Sequence, residues 1–354
     1  MIIYSKNSKT NDAVYGKFLT PIKMVIEHES DLLKKKGGTC DLLFNVEKSN
    51  RYGETIIEQD EFDAFTRVLE GNAAESDTVT ETRSKFIEHI QFMKEFAITA
   101  EMMEDANYGL PIEAKRRAEN FARAYYKTIN TLCEKALGYG ASAAMNMFKT
   151  TIDLTTSDGR PLFSDDHIYG PNTASEVQSN YFWGDIFYKG AEGSRTPSLE
   201  AFEEALAMLS VKLRNIRDEN GDPLGYTGDT IILPGNRPIA EMIAKKVCGS
   251  ALSPGANNNS VNLNYGGWNI FVLPHWEATV DKVIVMSSEA NKVLGGNMFF
   301  NRVPLTVSNW VDHHTGNHMW TGRCRFGLGF GSYKHAVMAV DSTTETETTT
   351  RLTY

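Results

Sequence analysis

Between Pro111 and Leu137 the apolar residues recur at helical spacing: Ala118, Phe121, Ala122, Tyr125, Ile129, Leu132, Cys133 and Ala136. Lys115, Arg116, Arg117, Glu119, Arg123, Lys127 and Glu134 decorate the remaining surface, and Gly138 and Gly140 close the run. At about 1.5 Å per residue such a helix extends on the order of 40 Å. It is a spine along which a domain can be organised, with Phe121, Tyr125, Ile129 and Leu132 as its expected core.

The elements before the spine are shorter. Residues 1–19 are polar with scattered aromatics and read as an extended arm. Thr20 is the expected N-cap of a helix with Pro21 at its first position, and Ile22, Val25, Ile26, Leu32 and Leu33 mark its buried side. Lys34, Lys35 and Lys36 suit the negative end of the helix dipole, and Gly37 can end the helix. Residues 41–100 read as strands joined by a long excursion. Ile90, Phe92, Phe96 and Ile98 fall on one parity, whereas Glu70 to Arg83 is polar and has little to add to a core. A hairpin that projects from a domain and rests on a neighbour has this composition.

After the spine, residues 141–195 mix turn signals with short apolar runs. A second helix starts near Thr196-Pro197-Ser198, with Leu199, Phe202, Leu206, Leu209, Leu213 and Ile216 at 3/4 spacing. Thr230 to Leu233 reads as a buried strand, Pro234-Gly235-Asn236-Arg237-Pro238 as a turn into a helix ending near Val247, and Trp268–Leu273 and Lys282–Met286 as two further strands. More strands are expected between Phe299 and Val340, including a stretch where aromatics alternate with glycines, Arg325 to Tyr333. Ser342 to Thr350 reads as a low-complexity, mobile Thr/Glu tail. The order is α+β, without repeats or regular βαβα alternation.

Composition narrows the function classes. A length of 354 residues can bury two or more cores, and no run of about 18 apolar residues is present to span a membrane. The amino-terminal stretch lacks the pattern of a secretory signal. A net charge of -9 argues against a sequence-reading nucleic-acid binder and is compatible with a container wall that does not hold packaged DNA tightly. Cys40, Cys133, Cys248 and Cys324 are widely spaced and read as reduced and buried.

Three clusters could carry chemistry. Asp312-His313-His314 with His318 is the best metal candidate, but Thr315-Gly316-Asn317 reads as a turn, which leaves ordinary loop histidines as the simpler reading. Gly327 to Gly331 is not a phosphate-binding pattern, because no helix follows it; close strand packing explains it. Asp153, Asp158, Asp165, Asp166 and His167 gather hard ligands without EF-hand spacing, and turn formation explains much of the run. No catalytic constellation, cofactor site or metal site is expected.

Several stretches, in order, resemble tailed-bacteriophage major capsid proteins of the HK97-like fold, of the Mu-like head protein type. Val68-Leu69-Glu70-Gly71, the polar stretch after it and Lys85-Phe86-Ile87 are similar to that family's extended loop. Phe96 to Asp105 is similar to the step into the spine helix. Asp158 to Ser164 with His167 is similar to a stretch of Mu-like head proteins, and Ile232 to Arg237 to the strand–proline–helix step of the axial domain. The resemblance spans roughly residues 44–340.

It implies an arm and short helix over 1–43, an extended-loop region with a projecting hairpin over 44–100, and a peripheral domain with the spine helix over 101–195. An axial domain follows over 196–298, then strands returning to the peripheral domain over 299–341, then the tail over 342–354. Glu70, Gly71, Glu75, Asp77, Glu81 and Arg83 are the expected assembly residues of the extended loop. The implied function is structural and not enzymatic: hexamers and pentamers of this chain closing into an icosahedral or prolate head around double-stranded DNA. Implied partners are a portal, a separate scaffolding protein and a maturation protease or decoration protein, with DNA contacted non-specifically and no membrane. The implied location is the virion capsid, assembled in the host bacterial cytoplasm. Alternatives are an encapsulin-like nanocompartment shell, a phage tail or decoration protein, and a metal-dependent hydrolase using Asp158, Asp166 and His167.

Overall fold

The computed structural model describes residues 12–59, 67–68, 81–104, 112–170, 176–190, 193–251, 261–343, 348 and 350–353. In chain order the first elements are α1 (Asp12–Lys36), α2 (Thr39–Leu43), β1 (Asn45–Lys48), β2 (Gly53–Gln59), β3 (Glu81–Glu88), β4 (Ile90–Ile98), α3 (Ala100–Glu104) and the spine helix α4 (Ile112–Gly138). Short strands follow: β5 (Ala144–Met147), β6 (Thr150–Asp153), β7 (His167–Ile168), β8 (Val177–Gln178), β9 (Tyr181–Gly184), β10 (Tyr188–Lys189) and β11 (Thr196–Pro197). The last third holds α5 (Leu199–Arg214), β12 (Thr230–Pro234), α6 (Pro238–Gly249), β13 (Asn269–Leu273), β14 (Lys282–Met286), α7 (Ser288–Val293), β15 (Asn297–Val311), β16 (His318–Phe330) and β17 (Ala336–Asp341).

Two sheets organise these elements. The first has the order β1-β15-β16-β4, with β15, β16 and β4 antiparallel and β1 parallel to the start of β15. Its inward residues Phe96, Ile98, Leu305, Val307 and Trp320 meet Ala114, Ala118, Phe121 and Ala122 of α4 and Ile22 and Ile26 of α1. The alternation of β4, half-buried at Ile90, Phe92 and Phe96 and buried at Ile98, follows from having one covered face. The second sheet has the order β13-β12-β14-β17-β9 and mixes parallel and antiparallel pairs. Its central strands are buried at every position because both faces are covered. One parity (Ile231, Leu233, Val283, Val285, Val337, Ala339) packs under α5 and α6. The other (Ile232, Ile284, Met286, Met338, Val340) joins the core that holds the C-terminal half of α4.

Local chemistry sets the helix ends. Ser198 caps α5 by accepting from the Ala201 amide at 3.3 Å, as the Thr-Pro-Ser step suggested. Gly37, with φ +72°, follows the lysine-rich last turn of α1. Gly138 is the last residue of α4 and leaves room for the buried Trp276 ring, which any side chain there would strike.

Three expectations need correction. Helix α1 starts at Asp12, so Thr20 lies inside it and is not its N-cap, and Pro21 lies inside it and not at its first position. Proline's preference for the first turn is strong but local, and the packing of α1 against α4 carries the helix through it. Residues 299–341 do not return to one unit. β15 and β16 build the first sheet, whereas β17 pairs with β14 and β9 in the second. Its run of small and apolar residues with no alternation is suited only to a doubly covered sheet. The tail, finally, does not hang free over residues 348 and 350–353. Thr348 and Leu352 are buried, the Trp183 amide donates to the Thr350 carbonyl at 3.0 Å, and the Leu352 amide donates to the Trp183 carbonyl at 2.8 Å. This segment covers the β9 edge, and backbone pairing at an edge needs no apolar composition.

Candidate assembly surface

The β2–β3 hairpin buries one face against its own chain and leaves the other open. Thr55 pairs with Phe86, Ile56 with Lys85, Ile57 with Ser84 and Glu58 with Arg83. One face therefore carries Ile57 and Phe86, 45% and 53% exposed. The opposite face carries Ile56, Lys85, Ile87 and Glu58, and it is the face that meets the body.

The glycine–aromatic run of β16 makes the seat for that face. Phe326, Leu328 and Phe330 point into the main core. Gly327, Gly329 and Gly331 alternate with them and face the hairpin. A Cβ on Gly329 would stand 2.7 Å from Ile87 Cδ1, one on Gly327 would stand 2.7 Å from His89 Cδ2, and one on Gly331 would strike the Gly295 carbonyl and crowd Ile56. Close packing is thus what these glycines supply, and the approach is between a strand and the hairpin root laid across it.

Polar contacts clamp the same root at three points. Lys85 reaches Asp153 and Thr155 of the β5–β6 region. Arg83 donates to the carbonyls of Ile168, at 2.6 Å, and Gly170, at 3.2 Å. Buried Lys334, in the corner between β16 and β17, pairs with Glu58 of β2 at 3.0 Å and with Glu219 from the loop after α5. Ser157 also donates to Glu58. Burial pushes the Glu58 carboxyl up, but Lys334 and the Ser157 hydroxyl outweigh it and hold it below the ordinary range. For Glu219 burial wins and the carboxyl is raised. Burial alone would lower the Lys334 ammonium, yet the two carboxylates raise it. An open cleft of about 720 Å³ lies beside this cluster, lined by β1, β2 and the end of α7.

The expected assembly residues divide. Glu70, Gly71, Glu75 and Asp77 lie outside the described residues. Glu81 pairs with Gln59 at a register shift, and only its backbone is described. Arg83 donates its guanidinium to carbonyls of its own chain, because the Ile168–Gly170 turn comes within its reach. In the spine, Phe121 is buried in the core with Ile22, Ile26 and Trp320, and Ile129 and Leu132 are buried in the main core, with Tyr125 half-buried against it. Sequence reasoning missed Glu58, Glu219 and Lys334. The one signal available was a lysine placed directly after the glycine–aromatic run.

The clusters weighed for chemistry are dispersed. His167 and Asp158 are fully buried and joined at 2.7 Å, with the imidazole stacked on Tyr333 at 3.7 Å. Burial pushes the Asp158 carboxyl up, but His167, Thr156 and the Arg160 amide hold it below its ordinary value. Asp166 instead faces Arg160 at 3.0 Å and Asp153 faces Lys85, so the acidic run braces loops at separate points. Asp312 accepts from Thr315 and the His314 amide in a turn that leaves His313 and His314 exposed, while His318 is buried in β16. Among the described residues no group of three or more His, Cys, Asp or Glu is placed to hold a metal ion. All four cysteines are buried and unbridged.

No protein-family model matches this chain, and no curated protein matches it. Solved structures do. The capsid of Myoviridae phage XM1 aligns with a TM-score of 0.50 at 13% identity, over 86% of this chain and 92% of that one. A virus-like particle from Pyrococcus furiosus aligns at 0.49 and 10%, over 91% and 99%. The capsid of an empty GTA particle aligns at 0.48 and 11%, over 86% and 90%. Together with the spine helix, the seated hairpin and the two sheets, the XM1 alignment gives this chain the HK97-like capsid fold.

Proposed function

We propose that this protein is the major capsid subunit of a tailed bacteriophage, a structural protein that closes into a shell around double-stranded DNA. The observation that carries the reading is a hairpin clamped at its root yet apolar on its outer face, within a chain whose fold follows that of a phage capsid over most of its length. A hairpin fixed in direction with Ile57 and Phe86 uncovered is suited to burying them on a neighbouring copy. Contacts repeated around rings close into cyclic assemblies, and rings joined at further symmetry axes close into a shell.

The main partner is the chain itself, in hexamers and pentamers. A portal, a scaffolding protein and a protease or decoration protein are further expected partners. DNA is contacted without sequence preference, in keeping with the net charge of -9. The location is the virion capsid, after assembly in the host cytoplasm. No chemistry is required of such a subunit, since interface burial can supply the energy of closure.

The test is electron microscopy and light scattering of the expressed protein, with and without its gene neighbours. Rings or closed shells are expected. A stable species at the chain mass of 39.5 kDa, persisting with the neighbours co-expressed, would overturn the reading. Shells that enclose an enzyme cargo and never package DNA would point to a nanocompartment instead.

A further inference from the structure

Helix α2 is a single turn, Thr39–Leu43, entered through Gly37 at φ +72° and Gly38. It lies against the C-terminal half of α4 in a fixed register. Gly38 sits so close to Asn130 that a Cβ there would stand 2.4 Å from its side-chain oxygen. Thr39 donates to Glu134 Oε1 at 2.8 Å. Glu134 Oε2 in turn accepts from the amide and the imidazole of His275, each at 2.8 Å. Between these contacts Cys40 meets Cys133. Their thiols are hydrogen-bonded, and both residues are packed in the main core, 2% and 0% exposed. Burial, then the Cys40 thiol and the carboxylates of Asp41 and Glu134, push the Cys133 thiol well above its ordinary value, so it stays protonated. The other two cysteines are placed differently. Cys248 lies in the second core, with α5 and α6, and the Cys324 thiol donates to the Phe92 carbonyl at 3.6 Å.

We infer that Cys40 and Cys133 are a redox-sensitive staple, a thiol pair that closes to a disulfide between α2 and α4 outside a reducing compartment. The inference goes beyond the shell reading, since the bond forms in subunit and particle alike. The oxidant is a hydroperoxide. The Cys40 sulfur attacks a peroxide oxygen and the O–O bond breaks. The sulfur is oxidised to a sulfenic acid, and hydrogen peroxide leaves as one water. The Cys133 sulfur then attacks the Cys40 sulfur. The S–S bond forms, the S–O bond breaks, and the hydroxyl leaves as a second water with the Cys133 proton. In sum two thiols lose two hydrogens and one peroxide becomes two waters. Cys40 is suited to the first step because α2 is one turn on a glycine-rich entry and can part briefly from α4. Cys133, inside a 27-residue helix, is the fixed partner. The loop that the bond closes, residues 40–133, contains the whole β2–β3 hairpin and β4, so the bond takes freedom from the unfolded chain.

The test treats the full chain, as subunit or particle, with hydrogen peroxide, then denatures it and alkylates the remaining thiols. Mass spectrometry should find the peptides of Cys40 and Cys133 joined with the loss of two hydrogens, and Cys248 and Cys324 alkylated as in untreated protein. The melting temperature should rise by roughly 3–6 °C and return on reduction with dithiothreitol. Cys40→Ser should lack both the bond and the rise, whereas Cys248→Ser should keep both. Four alkylated thiols after treatment, or a bond that involves Cys248 or Cys324, would overturn the pair. The Cys40–Cys133 bond with no rise in melting temperature would overturn the staple.

Discussion

The spine helix and the β2–β3 hairpin solve the problem of apolar surface in opposite ways. Along α4 every residue of the stripe from Ala118 to Ala136 is buried or half-buried within its own chain. Along the hairpin, Ile87 and Ile56 are covered by β16 glycines, while Ile57 and Phe86 on the other face are open. The helix is held by packing, and the hairpin is held by packing on one side plus Lys85, Arg83 and Glu58 at its root. The contrast separates residues that fold the subunit from residues that the folded subunit presents.

The largest effect expected from this contrast lies in the helix. Phe121 packs against Phe96 at 5.0 Å and occupies the space opposite Gly322. Phe121→Ala should destabilise the subunit by about 3–5 kcal/mol, read by chemical denaturation of the free subunit. Unchanged stability would mean that the stripe faces a partner, and the comparison would fail.

A second effect lies in the corner between β16 and β17. His335 is fully buried beside Gly296, and burial pushes its imidazole down to about 4, against a weaker upward pull from the Ser332 carbonyl. The unfolded chain therefore takes up this proton first as pH falls. The contribution is intact above about pH 6.5 and is lost as pH drops toward 4, by roughly 3 kcal/mol when complete. A His335→Asn variant should flatten that part of the stability–pH profile. An unchanged profile would show that His335 does not titrate against folding.

Much of this architecture was legible because it follows period and punctuation. The 3/4 spacing of α4 and α5, the Ser198 cap and the parity of β4 are local signals that the tertiary fold agrees with. The glycine–aromatic run was legible as close packing, though not which element comes close. What stayed hidden depends on long-range pairing. Nothing near Glu58 announces Lys334 or Glu219, which meet it from far along the chain. The split between β16 and β17 was hidden too, because which strand each one pairs with is set far along the chain. Docking of residues 348 and 350–353 joins backbone pairing to the side chains of Thr348 and Leu352, whose partners lie far along the chain. The bracing contacts of Arg83 were hidden because the turn it braces is about 85 residues away.

The smallest effect on stability is expected on the hairpin's open face. Ile57→Ser with Phe86→Ser should change the free subunit by no more than about 0.5 kcal/mol per site, while particle formation falls sharply. A large loss of subunit stability would show that this face is buried within the chain and blur the line between the two regions.

Hydrogen–deuterium exchange of free subunits against assembled particles reads the contrast most directly. Residues 118–136 should be equally protected in both states, since α4 is buried in its own subunit. Residues 53–59 and 81–88, paired with each other and covered on one face only, should exchange faster than α4 in the free subunit and gain protection on assembly. Equal exchange of the hairpin in both states, or protection of α4 that appears only in particles, would contradict the account.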